Sequence, residues 1–180
     1  MKKALFSFTG VIILIYAWLQ IIFLGGFTIE NILLYPNVFH DIPHSLEITS
    51  EFLQVTNPGS YFPILGMSVM GTGVITLIFT WRMKTIRYWI LGSLIIFILG
   101  NFIFSVIYAW PRNEILFEEG ATVHSLAYLQ QIAHEFLLGN WVRVATSVIT
   151  AILAFIGWLK FYRYKIASEK THKNDKELNF

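Results

Sequence analysis

The chain has 180 residues, of which 56% are hydrophobic and 13% charged, with a mean hydropathy of +0.61. Soluble domains carry roughly a quarter charged residues, so water is the wrong solvent for most of this sequence. A net charge of +2, spread over short basic clusters, gives no reason to expect a nucleic-acid partner. The absence of cysteine excludes disulfides, thiolate metal sites and the paired-cysteine chemistry of the four-helix thiol-oxidising membrane enzymes.

A membrane-spanning helix needs about 20 mainly apolar residues, and four stretches meet that length. The first is Ala4 to about Leu24. It opens like a signal peptide, but its apolar run is too long and no small-x-small cleavage site follows, so it is read as a retained helix. Gly25 to Tyr61 follows as a long connection. Pro43 suits a first helical turn there, Asn57-Pro58-Gly59 reads as a stop, and Ile48, Phe52 and Val55 fall on one face. Such a helix lies on the membrane or caps the bundle. The second span covers about Phe62 to Trp81, where Gly66, Met70 and Gly73 suit close helix packing, and the third covers Tyr88 to Trp110. After Gly120, Val123, Leu126, Leu129, Ala133, Phe136 and Leu137 recur at helical spacing as a second short amphipathic helix. The fourth span is about Trp141 to Tyr162.

Basic residues orient the spans. Lys2 and Lys3 precede the first; Arg82, Lys84 and Arg87 join the second to the third; Lys160, Arg163 and Lys165 follow the fourth. The connection 25–61 has no lysine or arginine. The expected fold is therefore an all-α integral membrane four-helix bundle in the cell membrane, with both termini cytoplasmic and two longer extracytoplasmic connections. Residues 1–166 form its single domain, and 167–180 a polar, disordered cytoplasmic tail.

Polar groups inside a membrane are costly and face a bundle interior or cavity. No histidine falls in a span, which argues against a bis-histidine haem, and no acidic residue falls mid-span, which weakens an ion-coupled transporter. Ser93, Phe97, Asn101, Ser105 and Tyr108 form one stripe on the third helix. Asn140, Arg143 and Ser147 share a face on the fourth, continued inward by Thr150, Ala154 and Gly157. If the first helix continues to Pro36, Glu30 and Asn31 reach the same level and Glu30 can pair with Arg143. Arg143 either snorkels to the headgroups or points inward with Asn140 and Asn101. Its opposition to the positive-inside trend favours the inward reading.

Four histidines lie in the outer connections. His40 and His44 have a metal-binding spacing, but Pro43 between them argues against the continuous helix it needs. His134 has no second histidine at ligand spacing, and no metal is expected. His124 or His134 is suited to act as a base.

Pro111-Arg-Asn113-Glu-Ile-Leu116, followed by Phe136, Asn140 and Arg143 at the opening of the last helix, resembles the paired signature of the anthrone oxygenase-like family. Those are small four-helix membrane proteins whose usual second motif has tryptophan where this chain has Phe136. Asn31, Pro36 and Asn57-Pro58 are similar too. The resemblance implies a cofactor-independent oxygenase that acts on a flat aromatic substrate. That substrate would sit in an outward-opening pocket lined by residues such as Phe97, Phe104, Tyr108 and Trp110. His134, His124 and Arg143 would be catalytic, and Asn31, Asn101, Tyr108, Asn113 and Asn140 would bind substrate. Deprotonation would give an electron-rich anion that reacts with oxygen directly, its charge met by hydrogen-bond donors. The alternative is a non-catalytic tetraspan that binds a lipid or hydrophobic ligand, or assists a membrane partner.

Overall fold

The computed structural model describes residues 3–177, and the side chains of 6–169 among them. Among the described residues there is no strand, and four helices are long and apolar enough to cross a membrane. We label them in chain order. Helix α1 is continuous over 3–38, built of Lys3–Ile29, a wider π-helical segment Glu30–Leu34, and Tyr35–Val38. Helix α2 is His44–Phe52 and α3 is Pro58–Thr80. Helix α4 covers 84–119 and contains π-helical segments Ile98–Ile103, Ser105–Ala109 and Glu114–Glu119. Helix α5, Leu126–Glu177, is the longest.

The boundaries differ from the sequence expectations in three places. Helix α1 does not stop near Leu24; Gly25-Gly26 passes through as helix, and Pro36 is tolerated in the first turn of Tyr35–Val38. Between α4 and α5 there is no separate amphipathic helix. Gly120, at φ 55°, breaks the chain direction, the turn Gly120–Val123 follows, and α5 begins at Leu126. At the far end α5 runs on to Glu177, through most of the stretch expected as a tail, while the side chains of 170–180 lie outside the described residues. The start of α3 is as expected: Asn57 accepts from the Ser60 amide at 2.9 Å, Ser60 Oγ reaches back to the Asn57 amide, and Pro58 fills the first turn.

Helix α5 packs on α1 and α4, and α3 packs on α1 and the first half of α4. The Phe6 and Phe161 rings lie 4.9 Å apart, which puts the start of α1 and the later part of α5 at one end of the bundle. We call this the terminal end; the other, which carries α2 and the α4–α5 turn, is the loop end. Small residues set the close approaches. A Cβ on Gly73 would lie 2.9 Å from both Leu94 and Tyr16, so α3 sits against α1 and α4 only because that side chain is missing.

The distribution of residues is inverted relative to a water-soluble bundle. Trp18, Ile22, Ile64, Met67, Ile78, Leu99, Ile107 and Ile152 are exposed, while Gln20, Ser93, Asn101, Asn140, Ser147 and Thr150 are buried. So much contiguous apolar surface is unsuited to water and fits hydrocarbon. Helix α2 turns Leu46 inward and leaves Ile48 and Phe52 exposed, with Val55 exposed just beyond its end, so the apolar face read from the sequence points away from the bundle.

Gly73→Val should force α3 off its neighbours at a cost of about 1–3 kcal/mol. Gly71→Ala, which meets nothing within 4 Å, should leave stability unchanged. Thermal unfolding of both variants in one detergent measures the difference, and equal midpoints would contradict the packing.

Candidate functional site

Two linked groups of buried polar side chains occupy the interior. The first lies nearer the middle of the bundle. Gln20 of α1 donates to the Tyr16 hydroxyl at 3.0 Å, and its Oε1 accepts from Thr150 of α5 at 2.9 Å. Tyr16 and Ser93 of α4 share a hydrogen bond at 2.9 Å, and Ser93 donates to the Thr150 carbonyl at 2.8 Å. Three helices are thus tied by side chains that have no water to turn to. Interhelical hydrogen bonds in membranes contribute about 0.6–2 kcal/mol each, so the network fixes register more than it adds stability. A single glutamine within the first span was the sequence signal for it, and the pattern reading passed it over.

The second group lies toward the loop end. Arg143 of α5 is 7% exposed and Glu30 of α1 is 5% exposed. One guanidinium nitrogen, Nη1, donates to Asn140 Oδ1 at 2.7 Å, and the guanidinium carbon stands 3.9 Å from the Phe27 ring centroid. The aromatic face offers the cation a partner that needs no further hydrogen bond. Tyr35 donates to Glu30 Oε1 at 3.2 Å, and Arg143 lies within electrostatic reach of both. The Asn140 amide faces the Tyr35 hydroxyl without closing a hydrogen bond to it. Asn101 of α4 joins from the side, its Oδ1 accepting from Ser147 at 3.1 Å. Arg143 therefore points inward, but Glu30 makes no direct ion pair with it; Tyr35 and Phe27 stand in the cluster with them.

Hydrogen-bonding capacity in this cluster is not used up. Glu30 Oε2, Asn31 Oδ1, Asn101 Nδ2, Asn140 Nδ2 and Arg143 Nε are all buried without a protein partner. Leaving a buried polar atom unpaired costs about 1–3 kcal/mol. Donors and acceptors with spare capacity at one level of a bundle are what a polar ligand would require.

Local geometry explains how these side chains reach one place. The π segment Glu30–Leu34 lies directly before Pro36, and Ser105–Ala109 directly before Pro111. A proline has no N–H and its ring crowds the carbonyl four residues back, and a wider turn relieves both problems. Widening also changes which residues face inward. On a regular helix, steps of four drift by about 40° each, yet Ser93, Phe97, Asn101, Ser105 and Ala109 are all buried. The π segments absorb that drift. Tyr108, expected on this stripe, is displaced from it.

The other predicted site residues part from the cluster. Tyr108 is half-buried and donates to the Glu135 carbonyl at 2.8 Å, under the Arg112 guanidinium at 3.6 Å from its ring. Arg112 also pairs with Glu135 at 2.7 Å, so these residues clasp α4 to α5. His134 is exposed, and nine residues along α5 from Arg143 it stands about 13 Å away along the axis. His124 pairs with Glu119 in the turn before α5. His40 and His44 are exposed and not on one helix, and among the described residues no group of three potential ligands could hold a metal. Phe97 packs on Phe23 in the core, and Phe104 stacks on Tyr108.

Asn113 instead lines a cleft of about 320 Å³, together with Tyr35, Val38, Leu53, Asn57 and Phe117. Tyr35 thus belongs to both places: it is among the residues that line the cleft, and its hydroxyl bonds Glu30 in the buried cluster. Sequence reasoning missed Tyr35 because the first span was ended at Leu24. Asn31 and Tyr35, four residues apart at the head of a connection without basic residues, were the signal that the helix continues. No family model matches the chain, and no curated protein or solved structure is similar to it.

Asn140→Leu removes the acceptor of a buried guanidinium and should cost about 2 kcal/mol, whereas Tyr108→Phe breaks a bond at the edge and should cost less. Denaturation midpoints in mixed micelles test the order, and a reversed order would mean that Arg143 is held by other groups.

Proposed function

We propose that this chain is a multi-pass membrane protein with both termini cytoplasmic, which takes up a flat, lipid-soluble aromatic molecule at the loop end and oxidises it with dioxygen and no cofactor. The orientation rests on the lysines and arginines that flank the terminal end and on their absence from 25–61. The reaction class is that implied by the resemblance of Pro111, Asn113, Leu116, Asn140 and Arg143 to the anthrone oxygenase-like motifs. One observation carries the reading: Glu30, Tyr35, Asn140 and Arg143 are buried together, with unpaired polar atoms, beside a cleft that Tyr35 lines.

In this reading the proton acceptor is Glu30, in place of the loop histidines, because its free Oε2 lies inside the cluster and Tyr35 connects it to the cleft. The ring methylene of an anthrone-type substrate loses a proton through Tyr35 to Glu30. The carbanion, stabilised as a phenolate-like enolate, transfers electrons to dioxygen, and a carbon–oxygen bond forms. The peroxide anion takes back the first proton. Loss of the remaining ring C–H proton to Glu30 then breaks the O–O bond, forms the second carbonyl and releases hydroxide, which takes that proton as water, so one dioxygen gives one quinone and one water. Arg143 and the Asn140 amide stabilise the negative charge where it develops, as preorganised donors in a dry site do. Asn113 sits in the cleft to orient the substrate.

A second reading, a tetraspan that holds a hydrophobic ligand without reacting, draws on the position of His124 and His134 away from the cluster. Purified protein in nanodiscs, given a hydroxyanthrone, separates the two. Catalysis is expected to consume oxygen and form quinone in equal amounts. Glu30→Gln and Arg143→Lys should each lower the rate by about a hundredfold, lysine failing because it lacks the planar multi-donor head. His134→Ala and His124→Ala should stay near wild type. Binding without oxygen uptake would leave only the second reading, and absence of binding would remove both.

A further inference from the structure

We propose that the gap between α3 and α4 at the loop end is a side portal, through which a neutral hydroxyaromatic molecule passes from the bilayer into the cleft against Tyr35. This rests on the functional reading above and names the route and charge type of its substrate. The inner cleft adjoins a second, more open groove of about 590 Å³; Gly59, Asn113 and Glu118 line both. The outer cavity lies between Pro63 of α3 and Val106 and Trp110 of α4. Helix α3 packs on the first half of α4, so it is only toward the loop end that the two helices leave this space between them.

The doorway opens onto the apolar flank. Val106 and Trp110 at the rim are 39% and 45% exposed, and Ile64 and Ile107 beside them are 71% and 72% exposed. Thr49 and Leu53 bring α2 and its following turn to the inner cleft. The outer groove thus lies on the apolar flank, which suits a molecule that arrives dissolved in hydrocarbon. Both volumes fall in the range of about 300–1,000 Å³ usual for small-molecule sites.

Both linings mix apolar and polar groups: Pro63, Val106 and Trp110 with Asn113 and Glu114 in the outer one, Leu53 and Phe117 with Asn57, Gln54 and Asn113 in the inner one. Pro63 cannot supply the usual helical donor to the Gly59 carbonyl, and Gly59 sits at the junction of the two cavities. No lysine or arginine lines either cavity, whereas Glu114 and Glu118 do. An anionic fatty acid or phospholipid headgroup would meet like charge here. A neutral ring system with phenol and carbonyl groups meets acceptors and donors. Tyr35 in turn bonds Glu30, whose Oε2 is unpaired.

The chain has no cysteine, so single-cysteine variants report cleanly. Val106→Cys at the doorway and Ile107→Cys on the open flank are labelled in nanodiscs with a lipid-soluble maleimide. Saturating 1,8-dihydroxyanthraquinone, a redox-stable neutral probe, is expected to slow labelling of the first several-fold and to leave the second unchanged; palmitate should slow neither. Val106→Trp, which fills the doorway, should slow uptake of the probe from vesicles while the unfolding midpoint stays constant. If the probe quenches wild-type tryptophan fluorescence but protects neither cysteine, or both equally, the portal is wrong while the functional reading stands. If palmitate protects Val106→Cys, the assigned charge type is wrong. If the probe does not bind wild type at all, the portal and the functional reading fall together.

Discussion

The structure turns on one constraint: a guanidinium that cannot be deprotonated is held inside an apolar bundle. Removing such a group from water costs several kcal/mol unless partners surround it. Arg143 is met by Asn140 from its own helix, the Phe27 ring from α1, and the nearby Glu30 and Tyr35. The polar partners among them are costly to bury by themselves, so each justifies the others. That mutual dependence binds the loop-end half of α1 to α5, and it explains why α1 must run well beyond the length a membrane requires.

Keeping these side chains on one level needs departures from regular helix. Prolines at 36 and 111 interrupt hydrogen bonding in α1 and α4, and the π-helical turns before them take up the misfit. The same turns carry Glu30, Asn31 and Ser105. A feature that weakens a helix locally thus aims its polar groups inward. The separate Tyr16–Gln20–Ser93–Thr150 network then sets the register of α1, α4 and α5 nearer the middle, so the cluster rests on a fixed frame.

Around the cluster, chemistry and access are divided. Arg143 and Glu30 are enclosed, the clefts are lined without cations, and Tyr35 belongs to both the cluster and the inner cleft. In the proposed reaction, an anion formed next to Tyr35 would lie near the positive charge of Arg143. The same arrangement suits tight binding of a hydroxylated ring without turnover, since the unpaired donors and acceptors serve either use.

Much of this was legible in the residues alone. Composition and four apolar runs determine a helical chain suited to a membrane, because hydrocarbon leaves the backbone no partner but itself. The placement of Arg143 against the charge trend, three residues after Asn140, favours an internal use over snorkelling to the headgroups. Helix ends were less legible: Gly25-Gly26 looks like a terminus and Gly120 like a helix start, since local signals carry no knowledge of what packs above them. Only the tertiary structure decided that Glu30 and Tyr35 share the interior with Arg143, that Tyr108 leaves the stripe for Glu135, and that His124 and His134 stay outside. Those outcomes depend on the widened turns and on contacts between residues of different helices, and a periodicity of 3.6 within one helix holds no information about either.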